Sequence, residues 1–270
     1  MVEAPGAQAL ALGAQSAKQA LLAAPEPSAA LARQDGTRPL RVMLDPGHGG
    51  RDPGAERQGQ READLMLTFA LELAEELIRS GFEVDLTRRT DVFVPLEQRM
   101  TLSRAFRADA FLSLHADSVA EGQAQGISVY TFADAGAETA AQKLAERHAP
   151  DDLLTGVDLT GQEDALAKLL MSLAQSNTQP RSEALARSLI AGFERSVGGL
   201  YPKPMLAEEF AVLKAPDIPS VLIELGFMSS PTDLANLLDP DWRALAQAGI
   251  AAALQDWALA DAAEARLIWQ

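Results

Sequence analysis

From Leu40 onward, short apolar runs alternate with amphipathic stretches of helical period, and no other feature of the chain limits its fold as tightly. Runs suited to strands lie at 40–44, 82–87 (FEVDLT, alternating), 109–114, 126–132 and 219–223, with helical patterns between them. Strands that take turns with helices predict an α/β fold, a single domain with a twisted, largely parallel mixed sheet flanked by helices. In READLMLTFALELAEELIRSG, Met66, Ala70, Leu73, Ala74 and Leu77 share one helical face, and Ser80-Gly81 supplies the stop. Pro95 opens a helix reaching about Phe106. Ser230-Pro231-Thr232-Asp233 reads as a helix start, with a serine cap and an acid three residues on. A last helix is expected from about Asp241 to Ala258, with Trp242, Leu245, Gly249 and Ala253 or Leu254 facing inward.

Two stretches fall outside this rhythm. Residues 1–38, rich in Ala, Gln and Pro, bury little and read as a flexible linker or tail, with a docked helix at 8–23 as the alternative. The domain proper is therefore placed at 39–270. Between the strand at 126–132 and the helical pattern SEALARSLIAGFERSV, residues 133–180 far exceed what a crossover needs. They carry two helix patterns, GAETAAQKLAERH and GQEDALAKLLMSLAQ, and from Asp134 to Lys168 eight acids face three bases. An inserted, acidic, helical segment is expected there.

Composition removes several function classes. A formal charge of -15 and a pI near 4.6 would repel nucleic acid and anionic membrane surfaces. No apolar run is long enough to span a bilayer, so a soluble protein is expected. The chain has no cysteine, which leaves imidazole, carboxylate and water as the ligands for any metal. It begins without the basic start and apolar core of a secretory signal, so export is not legible in it.

The polar exceptions to the apolar runs then gain weight. Ligands of open α/β sheets bind beyond the carboxyl ends of the strands. His48 follows the first strand in VMLDPGHGG, His115 ends the third in AFLSLHAD, and Glu224 ends the last in SVLIELGF. Glu62, at the start of the helix after the glycine loop, can face the same edge. Two imidazoles and a carboxylate with one open position form the ligand set of a catalytic zinc site, which lowers the pKa of a water there to about 7. Glu224, partly desolvated, would act as general base and then general acid. Singly, each residue also fits a plain structural role: a satisfied histidine, a glutamate on a helix dipole, an exposed strand end. His148, in AERHAPDD, has no such strand end and is assigned to the surface or to the packing of the insertion.

Five ordered segments, VMLDPGHGGRDPGA, READLML, TRRTDVFVPLEQR, AFLSLHAD and PSVLIELGFMSSPTD, make the chain from about Leu40 to Ala258 resemble the zinc-dependent N-acetylmuramoyl-L-alanine amidases of the bacterial cell-separation type. The resemblance implies zinc on His48, Glu62 and His115, with Glu224 catalytic. It implies cleavage of peptidoglycan between N-acetylmuramic acid and the L-alanine of the stem peptide, in the periplasm or cell envelope. It also implies that the insertion at about 133–180 folds over the zinc cleft until a LytM-domain activator displaces it. An acid on the inserted helix would then fill the open metal position, with Glu163 and Asp164 the candidates; a solvated hairpin that merely thickens the fold is the alternative. The chain departs from many relatives at Asp117, where they carry asparagine. Arg99 matches a recurrent arginine, but it equally suits a surface helix or a structural ion pair and stays outside the catalytic set. A zinc peptidase or deacetylase acting on another amide, and a wall-binding module without turnover, are the rival readings.

Overall fold

The computed structural model describes residues 33–118, 124–133, 162–215 and 217–268, and for 162–176 and 268 the backbone alone. In chain order these form β1 (Arg41–Pro46), a small antiparallel hairpin of β2 (Glu56–Arg57) and β3 (Gln60–Arg61), α1 (Glu62–Arg79), β4 (Glu83–Leu86), α2 (Leu96–Phe106), β5 (Ala110–His115) and β6 (Ile127–Phe132). Then follow α3 (Gln162–Ser196), β7 (Leu200–Glu208), a 3-10 turn (Ala211–Leu213), β8 (Ser220–Glu224), α4 (Pro231–Leu238) and α5 (Pro240–Ile268).

Among the described residues one six-stranded sheet runs in the order β4-β1-β5-β8-β6-β7. The first four strands are mutually parallel, β6 is antiparallel to β8, and β7 is parallel to β6. This is the expected α/β mixed sheet. The central strands β5 and β8 are buried along their whole length, as apolar runs covered on both faces must be. On one face α1 packs on β1 and β4 through Met66, Phe69, Leu73 and Leu77, all fully buried. Each such side chain contributes about 1.5–3 kcal/mol of burial. The α4 start is capped as expected, with Ser230 Oγ accepting from the Asp233 N–H at 3.3 Å.

Several expectations need correction. The strand β7 was not foreseen, because LYPKPMLAE carries Pro202 and Pro204, which cannot donate to a ladder. An edge position and a register shift against β6 between Ile127 and Val129 accommodate them. The helix expected to begin after Pro180 is one continuous helix from Gln162, with Pro180 inside it. The missing proline N–H costs one helical hydrogen bond, while Leu185, Ala186, Leu189 and Phe193, all fully buried, hold the turns that follow. The last helix extends past Ala258, and Leu245 faces solvent at 54% exposure; the inward stripe is Ala246, Gly249, Ile250, Ala253, Leu254 and Trp257.

A compact unit begins at Arg33, since Arg33 Nη2 and Gln34 Nε2 both donate to the Asp261 carboxylate and Arg38 forms a two-pronged pair with Asp109 at 2.6 and 2.7 Å. The alternative helix at 8–23, His148, and the expected insertion between 134 and 161 lie outside the described residues. No described helix is long and apolar enough to cross a membrane.

Candidate metal centre

Parallel strands deliver their carboxyl ends to one edge, and the site is built there. β1 runs into a loop in which His48, Gly49 and Gly50 have φ of 58°, 125° and 62°. Three successive left-handed residues turn the chain back sharply, which is why glycines crowd this loop and why a histidine among them is conspicuous. His115 is the last residue of β5 and Glu62 the first of α1, both buried. Glycine is also needed beneath the rings: a Cβ on Gly47 would lie 2.5 Å from His115 Cε1, and one on Gly54 would lie 2.6 Å from His48 Cδ2 and 2.7 Å from Glu62 Oε2.

The side chains of His48, Glu62 and His115 each offer a donor atom, and these atoms lie within 4.8 Å of one another. Glu62 Oε1 is 3.2 Å from His48 Nε2 and 3.1 Å from His115 Nδ1. Donors around one tetrahedral ion with bonds of ~2.0–2.2 Å are separated by about 3.4 Å, so the spacing fits a single small divalent cation. The rings meet edge to face, with centroids 5.1 Å apart. His48 Nδ1 is 2.8 Å from Asp52 Oδ2, a contact that orients the ring and turns Nε2 towards the other donors. Glu62 is aimed by two backbone donors, Ala55 N–H and Ala116 N–H, each at 3.0 Å.

Glu224 sits beside this group as the strand-end partner of His115. Its Oε2 accepts from the Asp117 N–H at 3.0 Å, so two successive amides at the end of β5, those of Ala116 and Asp117, hold the two glutamates. Burial pushes the Glu224 pKa well above the usual carboxylate range, reinforced by the charges of Glu62 and Asp117. Glu62 goes the other way: burial opposes its charge, but the His48 charge and hydrogen bonds from both histidines hold its carboxyl well below the ordinary range. For His48 burial disfavours the proton, yet Glu62 and Asp52 raise the pKa to about 10. Two buried carboxyls a short way apart are thus pushed in opposite directions by their surroundings.

The structure therefore brings His48, Glu62, His115 and Glu224 to one edge. Glu163 and Asp164 fall in the first turn of α3, where the backbone alone is described. Asp117 is buried next to Glu224. Arg99, read as either a surface or a structural residue, is 3% exposed and pairs with Asp45 at 2.6 Å. Sequence reasoning missed Asp52. Its only signal was an acid four residues after His48, in a turn where aspartate is common for backbone reasons.

Comparison with known proteins adds an independent line. A family model described as N-acetylmuramoyl-L-alanine amidase matches residues 42–256. The chain is 36% identical over 224 residues to N-acetylmuramoyl-L-alanine amidase AmiC of Neisseria meningitidis, covering 82% of this chain and 53% of that protein. It is 36% identical over 194 residues to AmiA of Salmonella typhimurium, covering 71% of this chain and 67% of that one. The chain thus spans about half the length of the first of these relatives and about two thirds of the second. Among solved structures, the CwlD amidase from Clostridioides difficile in complex with the GerS lipoprotein superposes with a TM-score of 0.61 at 22% identity, covering 81% of this chain and 98% of that one. AmiC2 of Nostoc punctiforme gives 0.59 at 24% identity, with 81% and 96% covered. At such identities these two likenesses speak to the fold.

Proposed function

Since the chain belongs to the N-acetylmuramoyl-L-alanine amidase family, we propose that it hydrolyses the amide bond between N-acetylmuramic acid and the L-alanine of the peptidoglycan stem peptide, with zinc held by His48, Glu62 and His115. The observation that carries this reading is the convergence of those three donors within 4.8 Å, with Glu224 in register beside His115. The donor chemistry, nitrogen and oxygen without sulfur, suits zinc in a hydrolytic site. When bound, zinc supplies Lewis-acid polarisation of the scissile carbonyl and makes water nucleophilic at neutral pH.

The chain's own residues do the rest. Asp52 holds the His48 ring in the orientation that presents Nε2, and the amides of Ala55 and Ala116 keep Glu62 pointing at the same spot. Glu224, oriented by the Asp117 N–H, takes a proton from the attacking water in its ionised form, which a cation held by the neighbouring donors would favour against the effect of burial. Its raised pKa then lets it hand that proton to the departing L-alanine nitrogen as the C–N bond breaks. Water is consumed, and no covalent enzyme intermediate is needed.

The cellular setting follows from the substrate: the periplasm or cell envelope, in wall remodelling and daughter-cell separation. The segment at about 133–180 is the autoinhibitory element, released by a LytM-domain activator, with Glu163 and Asp164 the candidate blocking acids. Geometry sets a condition on this. In the antiparallel pair Ser128 lies opposite Glu224 and Tyr130 opposite Leu222, so β6 leaves the sheet at the edge away from the site. Gln179 Nε2 donates to the Phe132 carbonyl at that far edge. For either acid to reach the metal position, the part of α3 before Pro180 must bend back, and an internal proline is where a helix bends.

The test is product analysis of digested sacculi. Free stem peptides with an L-alanine amino end, lost on chelation and restored by zinc, are expected. Opened cross-links or released acetate would favour a peptidase or deacetylase, and wall binding without turnover a recruitment module.

A further inference from the structure

Beneath the site lie two buried arginines that the mechanism above does not use. Arg99 and Arg88 are each 3% exposed. Between them they bind the carbonyl oxygens of three successive residues in the His48 loop. The Pro46 carbonyl accepts from Arg88 Nε and from Arg99 Nη1, both at 3.0 Å. The Gly47 carbonyl accepts from Arg88 Nη2 at 2.7 Å, and the His48 carbonyl from Arg99 Nη2 at 3.1 Å.

Both side chains also reach outward from this loop. Arg88 Nη2 donates to the carbonyl of Ala63, the residue after Glu62, at 2.8 Å. Arg99 Nη1 pairs with Asp45 Oδ1 at 2.6 Å, and the other oxygen of Asp45 accepts from Ser113 Oγ at 2.8 Å, two residues before His115 in β5. The pair is thus linked to the backbone next to, or two residues from, every one of the three donors.

Plain structural duty does not account for this arrangement. Two guanidinium groups share one directly paired carboxylate, Asp45, with Asp64 and Asp91 acting on Arg88 only through their charge, so positive charge lies close under the donors, which opposes cation binding. His48, moreover, sits at φ 58°, a conformation that a non-glycine residue does not hold by its own preference. Something must impose it, and planar five-donor forks on consecutive carbonyls do so in a way that a point-charge ammonium cannot.

We propose that Arg99 and Arg88 are positioning residues that set the affinity of the site for its metal, by clamping the Pro46–His48 backbone and tying it to the supports of Glu62 and His115. This rests on the reading of His48, Glu62 and His115 as metal ligands.

The experiment measures zinc dissociation constants by chelator competition on the full chain, together with thermal unfolding of the metal-stripped protein. Arg99→Lys and Arg88→Lys keep the charge, so a change in affinity reports geometry. Each is expected to raise the zinc dissociation constant about 10- to 100-fold, the usual effect of losing an outer support. Arg104→Lys, whose partner is Asp217, serves as control and is expected to leave it unchanged. Ser113→Ala, which removes only one support of Asp45, is expected to produce a smaller rise and covers the case in which a lysine variant does not fold. Unfolding temperatures that drop while the zinc constants of the folded variants stay within about twofold of wild type would overturn the proposal, leaving a structural role alone. A wild-type chain that takes up no zinc would overturn the metal reading and this proposal with it.

Discussion

His115 and Glu224 are direct register partners at the ends of two adjacent parallel strands. Strand pairing therefore fixes the distance between a buried imidazole and a buried carboxyl, and no loop needs to be trusted with it. The same strand end supplies the amides of Ala116 and Asp117, which hold Glu62 and Glu224 respectively. Sheet geometry thus places Glu224, the proposed acid/base group, beside the proposed ligands with the precision of the ladder.

Replacing Glu224 by glutamine separates chemistry from metal binding. Glutamine keeps the shape and the acceptor for the Asp117 N–H but has no proton to take up or release in the working pH range. We expect kcat on sacculi to fall about 10²- to 10⁴-fold, the usual share of general acid/base catalysis, with zinc content near that of wild type. The stability effect has a definite sign. The Glu224 pKa is raised in the fold, so its contribution is fully present below the ordinary glutamate range and is lost as pH rises through the folded value. The metal-stripped variant should therefore unfold at a higher temperature than metal-stripped wild type at neutral pH and lose that advantage in acid. Equal unfolding temperatures at pH 7 would contradict the strained, buried carboxyl described above.

Metal uptake should release protons. The His48 pKa stands at about 10 against the ordinary 6.5, so near pH 7 an ion must displace a proton to reach Nε2. Below about pH 10, each proton displaced weakens the apparent zinc affinity about tenfold per pH unit. In the metal-free fold the same shift is stabilising below 6.5, and this contribution is lost as pH climbs through about 10. Titration calorimetry in buffers of differing ionisation enthalpy counts the protons, and a count of zero at pH 7 would rule out His48 as a ligand held by Glu62 and Asp52.

The part of the fold and site that is legible in the sequence rests on local physics. His48, His115 and Glu224 stood out because each interrupts or ends an apolar run, and parallel strands carry such positions to a common edge. The inner face of α1 was legible for the same reason, through its helical spacing. Other features depend on distant partners. Arg88 and Arg99 look like surface charges until the Pro46–His48 carbonyls and Asp45 close over them. The strand at Leu200–Glu208 is held by an edge that tolerates its prolines, and Leu245 faces outward because α5 presents a neighbouring stripe to α3. Neither edge position nor helix rotation is written in a single segment.

Deleting residues 134–178 should raise basal activity on purified sacculi. If the segment holds nine tenths to ninety-nine hundredths of molecules closed, its loss lifts the rate about 10- to 100-fold. The Glu163→Ala and Asp164→Ala pair should reproduce part of the rise if those acids occupy the metal position. A folded deletion variant with unchanged or lower activity would remove autoinhibition while leaving the amidase reading intact.

The contact between α3 and α5 offers a test remote from the chemistry. A Cβ on Gly192 would lie 2.5 Å from the Gly249 carbonyl oxygen and 2.9 Å from Ala253 Cβ, so the two helices touch backbone to backbone. Two effects oppose each other in Gly192→Ala. Alanine gains roughly 1 kcal/mol of helix propensity over glycine, whereas forcing atoms into a filled interface costs about 1–3 kcal/mol. The obstructing atom belongs to the backbone of a long helix and cannot rotate aside, which puts the cost at the upper end and makes the net effect destabilising by about 1–2 kcal/mol. At ~2–4 °C per kcal/mol for a chain of this size, the midpoint of thermal unfolding should drop by several degrees. Zinc affinity and kcat should stay at wild-type values, because α5 supplies none of the donors at the site. An unfolding temperature at or above wild type would show that the helices can part without loss, and that the close approach is not what seats α3 on the sheet.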